Sequence, residues 1–218
     1  MRKMIIPGLL LGLGTLAAVG SALAQPGDDG ELPFRAYAPG ISRADADPTP
    51  TPKPIPYNGP VESLYLASAQ ISAKWPVEVR DTHVVGGREL FQDPTAPQYI
   101  AWYPRFGQPG FAGHNSILAA HIDYVGFGKG PFGYLTSASA GDALYLTMDN
   151  GSSLAYTVKS VSVIKLANLN MDDVVFPILP PNTERVTLIS CGGTFVPYPG
   201  GGGEYDSRVI LVAERFTG

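Results

Sequence analysis

The sequence predicts an all-β fold, a closed or nearly closed barrel of seven or eight short strands with a few helical turns. Three observations carry that prediction. Short apolar or alternating segments recur at 63–72, 77–79, 116–121, 143–148, 154–164, 185–191 and 208–216, the lengths expected of strands rather than helices. Turn signals separate them: Gly86-Gly87, Pro109-Gly110, Gly141-Asp142 and Asn150-Gly151, in a chain with 26 Gly and 21 Pro. No long segment keeps a 3.6-residue apolar period, and evenly spaced short strands between turns suit a barrel.

The elements follow in chain order. Residues 1–24 open with Arg2 and Lys3, continue as an apolar run and end on Ala22-Leu23-Ala24. That is the form of an export signal with a small-x-small cleavage site. The apolar part, 4–24, is also about as long as a membrane span, roughly 20 residues, so the segment is either a cleaved signal peptide or a membrane anchor. Both place the remainder outside the cytoplasm. Residues 25–59 form a Pro-rich linker. Alternating prolines at 48, 50, 52, 54 and 56 favour extended polyproline II, the conformation of a semi-rigid stalk. Residues 60–218 form the folded domain. Within it, Leu144 to Met148 and Leu154 to Val158 flank Asn150-Gly151 and predict a hairpin with a slightly long loop. Short helical turns are expected near 132–135 and 170–174.

Charge narrows the function classes. Net charge is -4 with 16% charged residues and no basic block, which argues against a nucleic-acid partner, since phosphate neutralisation needs clustered Lys and Arg. Hydrophobic content of 44% is enough for a sizeable core. Gly200 to Gly203 is not followed by Lys-Ser or Lys-Thr and is no phosphate loop.

The chain has one cysteine, Cys191. In an exported protein a lone cysteine has no internal disulfide partner, so it is an inert buried thiol, an intermolecular bridge or a nucleophile. It closes the apolar run Val186-Thr187-Leu188-Ile189-Ser190 and precedes Gly192-Gly193, so the sulfur is expected where the strand leaves the core. His121 ends the apolar run Ile117-Leu118-Ala119-Ala120, and Arg208 opens Val209-Ile210-Leu211-Val212. A Cys, a His and an Arg at strand ends suggest a nucleophile, a base and an oxyanion partner. A guanidinium is the natural cation to lower a thiol pKa. Each residue alone has a blander reading: a structural histidine, an arginine snorkelling into water. His83 and His114 compete for the base, and Asp123 could accept from an imidazole or cap a turn. Metal binding is a weak alternative, because His114, His121 and Asp123 lack the second Cys or His pair of a zinc set.

In combination these residues resemble the sortase family, of the kind grouped as classes E and F. Thr187-Leu188-Ile189-Ser190-Cys191-Gly192-Gly193 resembles the nucleophile strand. Leu118-Ala119-Ala120-His121-Ile122-Asp123 resembles the histidine segment. Ser207-Arg208-Val209-Ile210-Leu211-Val212-Ala213 resembles the closing arginine strand, and Ile100-Ala101-Trp102-Tyr103 with Pro109-Gly110 resembles the elements ahead of the histidine. The departures are Ala120 for Gly, Ser190 for Thr, and Asp206 where many class F members place the arginine. Arg185 and Arg215 are therefore alternatives to Arg208.

The resemblance implies a cysteine transpeptidase. Cys191 attacks a backbone carbonyl in a sorting motif, His121 exchanges the proton, and Arg208 supports the oxyanion. The expected partners are secreted proteins with an LPxTG-like motif and an amine acceptor of the cell envelope, and the chemistry requires no cofactor. In such proteins the connection before the nucleophile strand helps form the motif groove, which singles out Val175, Phe176, Ile178 and Leu179. The 192–207 segment, rich in glycine, is expected to be a mobile loop. Two alternatives are an endopeptidase that only hydrolyses and a non-catalytic surface binding module.

Overall fold

The computed structural model describes residues 55–72 and 75–217, all within one compact unit that begins at Pro52. The expected signal or anchor at 1–24 and most of the linker lie outside the described residues. Among the described residues no helix is long and apolar enough to cross a membrane.

Among the described residues twelve strands are formed: β1 (Val61–Tyr65), β2 (Val77–Val79), β3 (Thr82–Val85), β4 (Arg88–Phe91), β5 (Ile100–Tyr103), β6 (Asn115–Ala119), β7 (Asp123–Tyr124), β8 (Gly128–Lys129), β9 (Ala143–Met148), β10 (Ser153–Lys165), β11 (Thr183–Pro197) and β12 (Gly203–Phe216). Eight of them make one sheet in the order β1-β9-β10-β12-β11-β6-β5-β2. A bridge between Ser63 and Pro76 joins the edge strands, so the sheet curls into a nearly closed barrel. Closure removes the exposed edges that would otherwise invite pairing with other chains. Pairing is antiparallel except for β6 with β11 and β2 with β5.

The runs at 117–120 and 209–213 are apolar at consecutive positions, and 186–191 is interrupted only by Thr187 and Ser190, so none has a polar face to give to water. The structure covers both of their faces. Leu118, Ala120, Val186, Leu188, Val209 and Leu211 point into the barrel core. Ile117, Ile189 and Ile210 point outward, into a second cluster with Ala101, Tyr103 and Val175. Burying each such side chain contributes roughly 1.5–3 kcal/mol.

The second cluster is roofed by the β10–β11 connection. Its helix α1 (Met171–Val175) starts on Asn170, whose side chain accepts from the Asp172 amide at 3.2 Å. Asn115 holds the other end. Its Nδ2 donates to the Val174 and Val175 carbonyls at 2.9 and 3.2 Å, and its Oδ1 accepts from the Thr187 hydroxyl at 2.8 Å. Helix-end carbonyls lack intrahelical partners, so a buried Asn satisfies them and pins the roof to the sheet.

Three departures from the sequence reading have local causes. The strand expected over 63–72 ends at Tyr65. Leu66 and Ile71 then bond to each other's backbone at 3.0 and 3.1 Å around a 3-10 turn, Ala67–Ala69, where the chain has no β-branched residue to favour extension. Residues 82–91 form a separate hairpin, β3–β4, about Gly86-Gly87. Finally, 192–207 is no open loop: β11 and β12 continue past the core as a two-stranded ribbon that turns at 198–202. The two glycines after Cys191 do not end the strand. Gly193, at φ +81°, sits in a bulge between Gly192 and Phe195, and an added Cβ there would lie 2.1 Å from Asp206 Oδ1.

Candidate active site

Register alone brings the three sequence-derived residues together. β11 is flanked by β6 on one side and β12 on the other. On the β12 side, Cys191 and Arg208 are direct partners. Toward β6, Ile189 is opposite Ala119, and the Ala120 amide donates to the Ile189 carbonyl at 3.3 Å. Two residues further along each chain come Cys191 and His121. The three residues thus stand in a row across adjacent chain segments spaced about 5 Å apart. All continue the outward phase of Ile117, Ile189 and Ile210, so their side chains emerge beside the second cluster.

Ser190, one residue back, faces the other way. Its hydroxyl donates to the Ala120 carbonyl at 3.1 Å in the buried interior, so it ties the cysteine strand to the histidine strand. The turn after His121 is equally tight. The His121 carbonyl accepts from the Phe132 amide at 3.2 Å, and a Cβ on Gly130 would fall 2.3 Å from that oxygen. Only glycine allows this approach without displacing the His121 backbone.

Cys191 is half-buried and free. Burial pushes its thiol pKa up, Arg208 pulls it down, and the carboxylates of Glu204, Asp93 and Asp123 add a smaller upward push. The guanidinium of Arg208 is already anchored. Its Nη1 donates to the Tyr205 and Ser207 carbonyls at 3.2 and 3.0 Å, and its Nη2 donates to Glu204 at 2.8 Å. That contact in turn holds the Glu204 carboxyl below its ordinary range. Glu204 also accepts from the Tyr198 hydroxyl at 3.1 Å. The His121 ring lies 5.4 Å from the ring of Tyr124.

Two cavities open on this row, and His121, Cys191 and Arg208 line both. One, about 560 Å³, lies between the β3–β4 hairpin and the β10–β11 connection and is walled by Leu90, Phe91, Leu166, Leu169 and Met171. The other, about 530 Å³, lies between the residues after His121 and the β11–β12 ribbon.

Of the remaining sequence-derived candidates, Asp123 alone lines either cavity. Val175 is buried in the outer cluster. Phe176 is exposed, with its ring 5.5 Å from Phe106. Ile178 is fully exposed and Leu179 half-buried. Of the same connection, the residues lining the 560 Å³ cavity are Leu166, Leu169 and Met171. These were not singled out from sequence, although the spacing of their apolar side chains was there to be read. Arg185 pairs with Glu214 at 2.6 Å, and Arg215 pairs with the fully buried Glu184 at 2.6 Å. Both pairs sit at the far end of β11 and β12. His114 Nδ1 accepts from the Gln108 amide at 3.0 Å, and His83 lies exposed on β3. Asp123 accepts from the Tyr205 hydroxyl at 2.6 Å. Among the described residues no three or more His, Cys, Asp or Glu side chains are grouped to hold a metal ion.

Fold and site define a β-barrel protein with a cysteine and an arginine paired within neighbouring strands and a histidine just past the end of a third. The sortase domain model matches residues 75–216, and the chain belongs to the sortase family. That family consists in general of extracytoplasmic cysteine transpeptidases. Among solved structures, sortase A from Corynebacterium diphtheriae, in a lid mutant, is 18% identical. It covers 75% of this chain and 72% of its own, with a TM-score of 0.50. Sortase C-1 from Actinomyces oris is 20% identical, covering 73% and 72%, with a TM-score of 0.49. No curated protein matches the chain.

Proposed function

We propose that this chain is an extracytoplasmic cysteine transpeptidase. It cleaves an LPxTG-like sorting motif in secreted proteins and transfers the acyl part to an amine of the cell envelope. The observation that carries this is the row His121, Cys191, Arg208 across three neighbouring segments, with Cys191 and Arg208 in direct register. In this reading the motif lies in the 560 Å³ cavity, whose apolar walls suit a leucine-bearing extended peptide. The β10–β11 connection supplies one wall, and Val175, Phe176, Ile178 and Leu179 follow in the same connection.

The chemistry then runs in two halves. The Cys191 thiol gives its proton to His121 and attacks the scissile carbonyl, while Arg208 donates to the developing oxyanion. The C–N bond breaks, the leaving amine takes the proton from His121, and a thioester remains on Cys191. An incoming amine resolves the thioester; water at the same place would make the enzyme an endopeptidase. The reading also has the N-terminal segment either removed as a signal peptide or, through 4–24, anchoring the protein at the membrane.

Intact mass spectrometry of the full chain tests it. Incubated with LPxTG-like peptides, the protein is expected to gain one acyl mass on Cys191, and added triglycine amide is expected to convert that adduct to ligated peptide. Cys191→Ala should show no adduct. An adduct that persists in Cys191→Ala, or a native Cys191 that resists both acylation and alkylation, overturns the proposal.

A further inference from the structure

The reaction proposed above needs the Arg208 guanidinium in one place and in one plane. Arg208 is the direct partner of Cys191 on β12, and its side chain lies back along its own strand. Nη1 donates to the Tyr205 and Ser207 carbonyls at 3.2 and 3.0 Å, and Nη2 donates to the Glu204 carboxylate at 2.8 Å. Three of the five N–H donors of a guanidinium are thereby engaged, which leaves Nε–H and one N–H on Nη2. Two contacts at Nη1 alone would let the planar group swing about that nitrogen. The third contact, at Nη2, stops the swing and so aims both free donors.

Glu204 is itself held. One of its oxygens takes Arg208, and the other accepts from the Tyr198 hydroxyl at 3.1 Å. Glu204 stands four residues before Arg208 on an extended strand, on the same face and roughly 13 Å away between Cα atoms. Two long side chains leaning toward each other close that gap; an aspartate would fall one methylene short. The pair is a weak source of stability, because the Glu204 side chain is 45% exposed and ion pairs open to water contribute little. It also opposes the thiolate. Burial pushes the Cys191 thiol up, Arg208 pulls it down, and Glu204 is the next upward push. A contact that adds little stability and hinders thiolate formation is accounted for by what it does to the guanidinium.

We infer that Glu204 is a positioning residue for acylation: it fixes the plane of the Arg208 guanidinium so that Nε–H and the second Nη2 N–H meet the oxyanion. The inference rests on the transpeptidase reading and adds to it a residue that never touches substrate.

Two variants of the full chain separate reach from charge. Glu204→Gln keeps the length and an acceptor oxygen and loses the charge. Glu204→Asp keeps the charge and loses the length. Single-turnover acylation by an LPxTG-like peptide gives a rate at saturating peptide and a half-saturating concentration, and iodoacetamide alkylation at neutral pH reports the state of the thiol. Glu204→Asp is expected to slow saturating acylation by about tenfold and to leave half-saturation within about twofold. Glu204→Gln is expected to acylate within about threefold of the unaltered protein. Alkylation of both is expected within about threefold of the unaltered rate, the range of a charge acting through water. Retained acylation in Glu204→Asp overturns the inference, as does equal slowing in the two variants. So does a Glu204→Asp defect that falls on half-saturation, or that alkylation shares in full, because either marks a disturbed site and not a turned guanidinium. Failure of the unaltered protein to form a thioester is a separate result, which removes the transpeptidase reading and this inference with it.

Discussion

At the scale of the residue, the reactivity of Cys191 is a balance between opposed terms. A thiol reacts as thiolate. Burial favours the neutral form and Arg208 favours the charged one. The thiol pKa stands above its ordinary value, so burial wins in the resting structure and the site waits in the thiol state. Removing the cation must raise the pKa further. Arg208→Ala is therefore expected to alkylate with iodoacetamide more slowly at neutral pH, by up to about tenfold, with its rate-versus-pH curve displaced to higher pH. An unchanged curve would show that the guanidinium, held by Glu204 and two carbonyls, exerts no field at the sulfur.

At the scale of the element, the β11–β12 ribbon shows most clearly what the sequence disclosed and what it concealed. β9 was legible to the residue, because Leu144-Tyr145-Leu146 alternates and turn residues bracket it. The parts of β6, β11 and β12 that lead to His121, Cys191 and Arg208 were legible for a related reason: strands buried on both faces read as near-continuous apolar runs. The ribbon itself was not, since Gly192-Gly193 and Gly200 to Gly203 have no intrinsic strand preference and its order depends on contacts distant in sequence. β5 was missed because four buried residues show no alternation, and β3–β4 because most of its side chains are exposed. Asp206 is one of the contacts that order the ribbon. It accepts from the Thr194 amide at 3.0 Å and the Ser207 hydroxyl at 2.7 Å, and it pairs with Lys165. These partners, Lys165 first, bring its pKa down to about 2. A carboxyl with a depressed folded pKa contributes stability that is present above the unfolded value and lost as pH falls through the folded one. The ribbon contact should therefore persist down to about pH 4 and fade toward 2. The Thr194 amide proton shift is expected to titrate with a midpoint near 2. A midpoint near the ordinary carboxyl value would mean that Asp206 does not hold the bulge.

For the whole molecule, the two ends of the barrel part of β11 and β12 perform different tasks. At one end Cys191 and Arg208 face open cavities. At the other, Glu184 is fully buried, and its oxygens accept from the Gly110 amide at 2.6 Å, from the Tyr156 hydroxyl and from Arg215 at 2.6 Å. Burial, and then the neighbouring Glu184 carboxylate, push the Tyr156 pKa up, so the tyrosine stays a donor to that carboxylate. This network joins β10, β11, β12 and the loop at Gly110, clamping the barrel far from the reacting sulfur. Arginines at opposite ends of the same strand pair thus serve opposite purposes, although the sequence offered both as partners of Cys191. The distinction is measurable. Arg215→Ala leaves a buried carboxylate without its cation and is expected to cost about 3–5 kcal/mol in denaturant unfolding. Arg208 pairs with the half-exposed Glu204, at 45%, and removing it should cost about 1 kcal/mol or less. Thioester formation, assayed well below the melting temperature of each variant, should show the reverse order: retained in Arg215→Ala and severely slowed in Arg208→Ala. Loss of thioester formation in a folded Arg215→Ala protein would transfer the oxyanion role away from Arg208 and break the assignment of chemistry to one end of the barrel and stability to the other.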